Sequence, residues 1–110
     1  MLRILIVDDF PEIRRSIVSR LARRADTVGG FQFVEASSAE EALELLEKGE
    51  KVDVIISDNS MGVEKLLGVE LLFRIRKDPR FSNMRFVLMS AANWDELSEL
   101  CRMHRARFVP

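Results

Sequence analysis

Apolar residues gather in short, nearly unbroken runs: Leu2-Arg3-Ile4-Leu5-Ile6-Val7, Val52-Asp53-Val54-Ile55-Ile56 and Arg85-Phe86-Val87-Leu88-Met89. They do not alternate with polar residues, which is how strands covered by helices on both faces read. Phe31-Gln32-Phe33-Val34 and Arg107-Phe108-Val109 are weaker candidates for two more strands. The segments between them carry helical spacing. Pro11 suits a first helical position, and Ile13, Ile17, Val18 and Leu21 follow as an apolar stripe among arginines. Ser38 with Glu41 is a capping-box signal ahead of Ala42, Leu43, Leu45 and Leu46. Val69 to Arg76 repeats the pattern with Leu71, Leu72 and Ile75, and Asp78-Pro79 ends it. Asn93 with Glu96 opens a fourth helix with Leu97, Leu100, Cys101 and His104 on one face.

The resulting order, β-α-β-α-β-α-β-α-β, predicts an α/β fold. It has a parallel sheet, right-handed crossovers, helices on both faces and one of the two common doubly wound strand orders. With 110 residues, 47% of them apolar, there is material for one core and therefore one domain, 1–110. Gly29-Gly30 and Lys48-Gly49-Glu50-Lys51 read as turns. The 17 Lys+Arg against 18 Asp+Glu give no overall field favouring nucleic acid or an anionic membrane. Cys101 is the only cysteine, which excludes an internal disulfide and multi-cysteine metal sites and fits a reducing compartment, with the cytoplasm as the expected location. The apolar start, Met1 to Val7, is too short for a signal-peptide core, and no run approaches the roughly 20 residues of a membrane span.

Chemistry is expected where strands stop: Asp8-Asp9 after the first, Asp58 after the third and Ser90 after the fourth. In an open parallel sheet these carboxyl ends share one edge, where ligands bind. Three carboxylates that close repel one another, and a divalent cation relieves the repulsion. An all-oxygen donor set selects Mg²⁺, with Mn²⁺ an acceptable substitute, over zinc. Mg²⁺ beside a carboxylate points to phosphoryl chemistry, in which an aspartate is itself a competent nucleophile.

At this point Ile4-Leu5-Ile6-Val7-Asp8-Asp9, Asp53-Val54-Ile55-Ile56-Ser57-Asp58-Asn59-Ser60-Met61 and Val87-Leu88-Met89-Ser90-Ala91 together resemble three signature blocks of bacterial response-regulator receiver domains. The resemblance runs in order over nearly the whole chain. It implies a five-stranded sheet in the flavodoxin-like order 2-1-3-4-5. It implies Asp58 as phosphoacceptor, Asp8 and Asp9 as the Mg²⁺-binding pair, Ser60 as a metal ligand through its backbone carbonyl, Ser90 as the hydroxyl that meets the phosphoryl group, and Phe108 as the switch aromatic. The implied phosphodonor is a histidine kinase or histidine phosphotransfer protein. The output is binding to a further protein or effector domain, with no direct nucleic-acid contact and no enzyme activity beyond the domain's own phosphorylation and dephosphorylation.

Two departures from the family pattern stand out. The family places a lysine three positions after the switch aromatic, whereas here Val109 and Pro110 follow Phe108 and the lysines are Lys48, Lys51, Lys65 and Lys77. Either the sequence is a fragment cut before that lysine and before the family's fifth helix, open to dimerisation or exchange of elements, or it is a degenerate domain acting as a phosphate-independent interaction module. The loop after Asp58 also differs: Met61 is followed by Gly62 where the family has Met-Pro, and Gly68 arrives about two residues late. A Mg²⁺-dependent phosphatase of the haloacid dehalogenase type fits less well, because its two aspartates stand one residue apart and Asp8 and Asp9 are adjacent.

Other residues have plainer readings. The arginines of the first helix form a solvated face that can steer an acidic partner. Cys101 is a small core residue, His104 sits near a helix C-terminus, and Met84, Met89 and Met103 fill the core. Trp94 starts the fourth helix either on the output face or as a partly buried indole.

Overall fold

The structure is a computed structural model that describes residues 1–24, 30–62, 65–92 and 94–110. Its elements run β1 (Leu2–Val7), α1 (Pro11–Ala22), β2 (Phe31–Ala36), α2 (Ala39–Glu47), β3 (Val54–Asp58), α3 (Gly68–Lys77), β4 (Arg85–Met89), α4 (Trp94–Met103) and β5 (Arg107–Val109). All neighbouring strands pair in parallel, in the order β2-β1-β3-β4-β5. This is the expected doubly wound α/β sheet. Two strands differ in their bounds from the sequence reading. β2 continues through Glu35 and Ala36, and β3 starts and ends two residues later than its apolar run, so Ser57 and Asp58 are strand residues. Ser57 is fully buried because it pairs with Val7 on one side and Leu88 on the other.

Local chemistry sets the helix ends. Pro11 occupies the first turn of α1. Ser38 Oγ accepts the Glu41 N–H at 3.0 Å to cap α2, while the Glu41 carboxylate takes the Ser37 hydroxyl. The Leu67 N–H donates to Glu70 at the start of α3, and α3 stops at Asp78, whose backbone is extended ahead of Pro79. Asn93 and Gly29, read above as a cap and part of a turn, lie outside the described residues.

The core lies on one side of the sheet. Leu5, Val7, Ile55, Phe86 and Leu88 point toward α2, α3 and α4, which contribute Ala42, Leu46, Leu71, Leu72, Ile75, Leu97 and Cys101. Burying each large side chain is worth about 1.5–3 kcal/mol. The opposite side is covered more thinly. Ile4 and Ile6 are buried beneath α1, yet no residue of α1 is itself fully buried. Further along that face Val54, Ile56, Val87 and Met89 are half-exposed, and Ile13 and Val109 are 45% and 39% exposed. Met103, expected in the core, is 61% exposed, because it falls on the outer side of the last turn of α4. Trp94 is exposed as well.

A half-covered apolar face favours association. Light scattering on the purified chain is expected to show mass rising with concentration, and Ile13→Glu to suppress the rise. A monomer mass at every concentration would contradict this.

Candidate functional site at the carboxyl edge of the sheet

Asp8 is the first residue past β1. Its N–H donates to the Ala36 carbonyl at 3.1 Å, continuing the ladder with β2. Its carboxylate accepts the Phe10 N–H at 2.9 Å, and the residue is only 3% exposed. Asp9 follows, half-buried, with an Oδ1 that is buried and has no hydrogen-bond partner. Asp58 ends β3 two strands' pairing away from β2. One carboxylate oxygen from each of Asp8, Asp9 and Asp58 lies within 4.8 Å of the others. The three carboxylates anticipated from separate strand ends therefore form one cluster.

The cluster is electrostatically strained. Burial, then the charge of Asp8 and lastly that of Asp9, push the Asp58 carboxyl up to about 6, against the pull of the Asn59 N–H. Asp8 is raised too, chiefly by burial and further by Asp9, while the Phe10 N–H and Arg14 pull it down. A hard divalent cation fits this donor set. Asp8, Asp9 and Asp58 would hold such an ion through one carboxylate oxygen each, and it would neutralise the charge that they share. The orphaned Asp9 Oδ1 is the kind of buried acceptor that a cation satisfies.

The cluster opens into a crevice of about 390 Å³ lined by Asp8, Phe10, Ile13, Asp58, Met89, Ser90, Ala91 and Pro110. Ser90 forms its far wall. Its N–H donates to the Val109 carbonyl at 3.1 Å, extending the β4–β5 pairing, and its hydroxyl donates to the Ala92 carbonyl at 2.9 Å. Phe108 pairs with Leu88 in that ladder and packs, half-buried, against the core. Ser90 and Phe108 are thus mechanically adjacent.

Comparison with known proteins agrees with this geometry. A family profile described as the response regulator receiver domain matches residues 4–108. The chain belongs to the response regulator receiver family. It is 32% identical over 89 residues, 81% of its length, to the chemotaxis protein CheY homolog of Campylobacter jejuni, of which the match spans 64%. Among solved structures, the chemotaxis response regulator CheY4 of Vibrio cholerae superposes with a TM-score of 0.78 at 25% identity, covering 98% of this chain and 83% of that one. The N-terminal domain of a response regulator receiver protein from Methanoculleus marisnigri gives 0.80 at 27%, covering 99% and 83%.

Against the family pattern, this receiver's loop after Asp58 takes its own path. Gly62 has φ +107°, a conformation closed to proline, so the family's Met-Pro geometry does not apply here. Gly62 passes beside the acidic pair: a Cβ there would stand 4.0 Å from Asp9 Oδ2. The longer loop is anchored at three points. Met61 is buried, the Leu66 N–H donates to Glu40 Oε2 at 3.2 Å, and Asn59 clamps the end. Asn59 Oδ1 accepts the Val69 N–H at 3.0 Å, and its carbonyl accepts the Gly68 N–H at 2.7 Å. Gly68, though late in sequence, sits against the end of β3, where a Cβ would meet the Asp58 carbonyl oxygen at 2.2 Å. Ser60 lies at the exposed start of this loop. Val63 and Glu64 lie outside the described residues.

Three residues were invisible to sequence reasoning as contributors: Asn59, Glu40 and Arg14. Arg14 corrects the reading of the first helix's arginines as a solvated face. Its side chain is only 16% exposed, donating to the Asp8 carbonyl at 2.6 Å and to Glu35 at 2.9 Å. Each acts on backbone groups, for which a sequence carries no signature. Cys101 and His104 take the plain roles expected. Cys101 is buried, and His104 sits past the C-terminus of α4 with Nδ1 2.9 Å from the Leu100 carbonyl and its ring against Phe73.

The raised Asp58 carboxyl has a measurable consequence. Between the ordinary value of 3.8 and about 6 the folded chain holds the proton more tightly than the unfolded chain. Metal-free stability attributable to Asp58 is therefore present below pH 4 and lost as pH rises through 6. Allowing for solvent screening at a half-exposed site, the loss is about 1–2 kcal/mol. Urea unfolding in chelator is expected to find Asp58→Asn more stable than the parent at pH 7.5 by that amount, the two converging near pH 4. A parent as stable as Asp58→Asn at pH 7.5 would contradict the strain.

Proposed function

We propose that this receiver is a phosphorylation-controlled signalling switch of a two-component system, with Asp58 as phosphoacceptor. The observation that carries the reading is the convergence of Asp8, Asp9 and Asp58 on one point at the carboxyl edge of the sheet. An Asp58 carboxylate oxygen attacks the phosphorus of a phosphohistidine on a histidine kinase or phosphotransfer protein. The P–N bond breaks, its electron pair stays on the imidazole, and an acyl phosphate forms on Asp58. Bound Mg²⁺ or Mn²⁺, held by Asp8, Asp9, Asp58 and the Ser60 carbonyl, supplies charge neutralisation for the transferring group. The Ser90 hydroxyl then exchanges the Ala92 carbonyl for a phosphoryl oxygen, and Phe108, joined to it through the β4–β5 ladder, follows. Phosphorylation biases two states that already exist, so the output is a change in what binds the α4–β5 surface, where Trp94 is 54% exposed.

In this reading the domain is a regulatory phosphoacceptor and not an enzyme acting on separate substrates. It works in the cytoplasm through protein partners; among the described residues no helix is long and apolar enough to cross a membrane. A second reading, a phosphate-independent interaction module, draws on one observation: among the described residues no lysine or arginine side chain lines the crevice.

Intact-mass measurement after incubation with acetyl phosphate and Mg²⁺ separates the two. The switch is expected to give an adduct of one phosphoryl group, absent in Asp58→Asn and in chelator. In Mg²⁺-limited conditions its rate falls as pH drops through about 6, where the Asp58 carboxyl takes up its proton. No adduct on the parent chain would favour the interaction module, and an adduct surviving Asp58→Asn would place the acceptor elsewhere.

A further inference from the structure

Asp8 is gripped on both sides of its backbone. Its N–H is held by Ala36 of β2 at 3.1 Å, and its carbonyl takes Arg14 Nη1 at 2.6 Å. The same guanidinium reaches back to β2, where Nε donates to Glu35 Oε1 at 2.9 Å. Arg14 therefore closes a small ring: β2 through Glu35, the first turn of α1, the Asp8 peptide, and β2 again through Ala36. Its neighbours Arg15 and Arg20 are exposed, whereas the Arg14 side chain is 16% exposed and two of its N–H donors are committed in fixed directions. The ring encloses the peptide from which the Asp8 and Asp9 side chains project.

We infer that Arg14, anchored by Glu35, is a positioning residue for the Asp8-Asp9 carboxylates, setting the direction in which they face a divalent cation. The inference rests on the Mg²⁺ reading above. Geometry and charge make opposite predictions for it. A guanidinium beside an anionic cluster repels an incoming cation, so a residue acting by charge alone would weaken Mg²⁺ binding, and its removal would tighten it. A residue acting by position strengthens binding, and its removal loosens it. Glu35 extends the contrast. It has no place among the clustered carboxylates, and as an anion its removal lowers cation affinity only slightly through a long-range field, unless it acts through Arg14.

Mg²⁺ titration by isothermal calorimetry at pH 7.5 and fixed ionic strength tests this on the full chain, without phosphodonor. The variants are Arg14→Ala, Arg14→Lys, Glu35→Ala, the Arg14→Ala/Glu35→Ala pair, and Arg15→Ala as a charge control, each checked for cooperative urea unfolding. Arg14→Ala and Glu35→Ala are each expected to weaken Mg²⁺ about tenfold, at the low end for residues that orient metal ligands. The pair is expected to lose no more than the worse single change, because both act through one contact. Arg14→Lys recovers little, since one ammonium cannot span the Asp8 carbonyl and Glu35, and Arg15→Ala leaves affinity unchanged or slightly tighter. Equal or tighter binding in folded Arg14→Ala overturns the inference, as does a pair whose losses multiply to about a hundredfold. If Arg14→Ala does not fold, Arg14→Lys and Glu35→Ala, which keep a cation at position 14, decide it in the same way. A parent chain that binds no Mg²⁺ sinks the metal reading and this inference together, whereas a parent that binds Mg²⁺ with unaltered variants sinks this inference alone.

Discussion

Three carboxylates held within 4.8 Å of one another, in a partly dehydrated notch, are the constraint around which this edge of the sheet is built. Mutual repulsion and burial together oppose the arrangement, and nothing in the carboxylates themselves keeps them there. The backbone does. Asp8 is fixed through its N–H by β2, through its carbonyl by Arg14 of α1, and through its carboxylate by the N–H of Phe10, the residue before α1. Asp58 is fixed because β3 continues through it in register with Met89, and because Asn59 bonds Met89 on one side and the start of α3 on the other. Gly68 lets α3 come so close to the Asp58 peptide that no side chain could fit between them. Charge repulsion stored in this way is relieved by any cation that the cluster binds.

The fold was legible because its strands are nearly continuous apolar runs separated by helical periodicity, a combination that few architectures satisfy. The carboxylate cluster was legible for a related reason: strand ends in a parallel sheet share an edge, so Asp8, Asp9 and Asp58 could be brought together without coordinates. What escaped was the support. Arg14 looks like Arg15 in sequence, and only the placement of β2 beside the first turn of α1 separates a largely covered guanidinium bonded to two residues from an exposed one. Asn59 and Glu40 bond to N–H groups of the loop and of α3, which every residue carries. The apolar run Val52 to Ile56 does not mark the bounds of β3, because pairing with β1 and β4 begins only at Val54 and continues through polar Ser57. Met103 misled because helical spacing puts it near the apolar stripe, while the last turn of α4 has already left the sheet.

The departures from the family pattern have physical content. Gly62 at positive φ stands where the family has a proline, while Met61 before it is buried in the core and Gly68 beyond it packs against Asp58. The two faces of the sheet differ in a corresponding way: α2, α3 and α4 seal one face, and α1 alone shelters β1 on the other. The crevice sits at the junction of these two regimes, with a rigid acidic floor and a wall formed by Ser90 and the β4–β5 ladder.

Burial and the neighbouring carboxylates strain the Asp58 carboxylate, and a cation bound among them would relieve it. A carboxyl-carbon NMR titration of the aspartate side chains, run in chelator and again in Mg²⁺, measures this at the atom concerned. The account expects Asp58 to titrate near 6 without metal and well below that with it. An Asp58 that titrates in the ordinary aspartate range in chelator, or one that Mg²⁺ leaves unmoved, would contradict it.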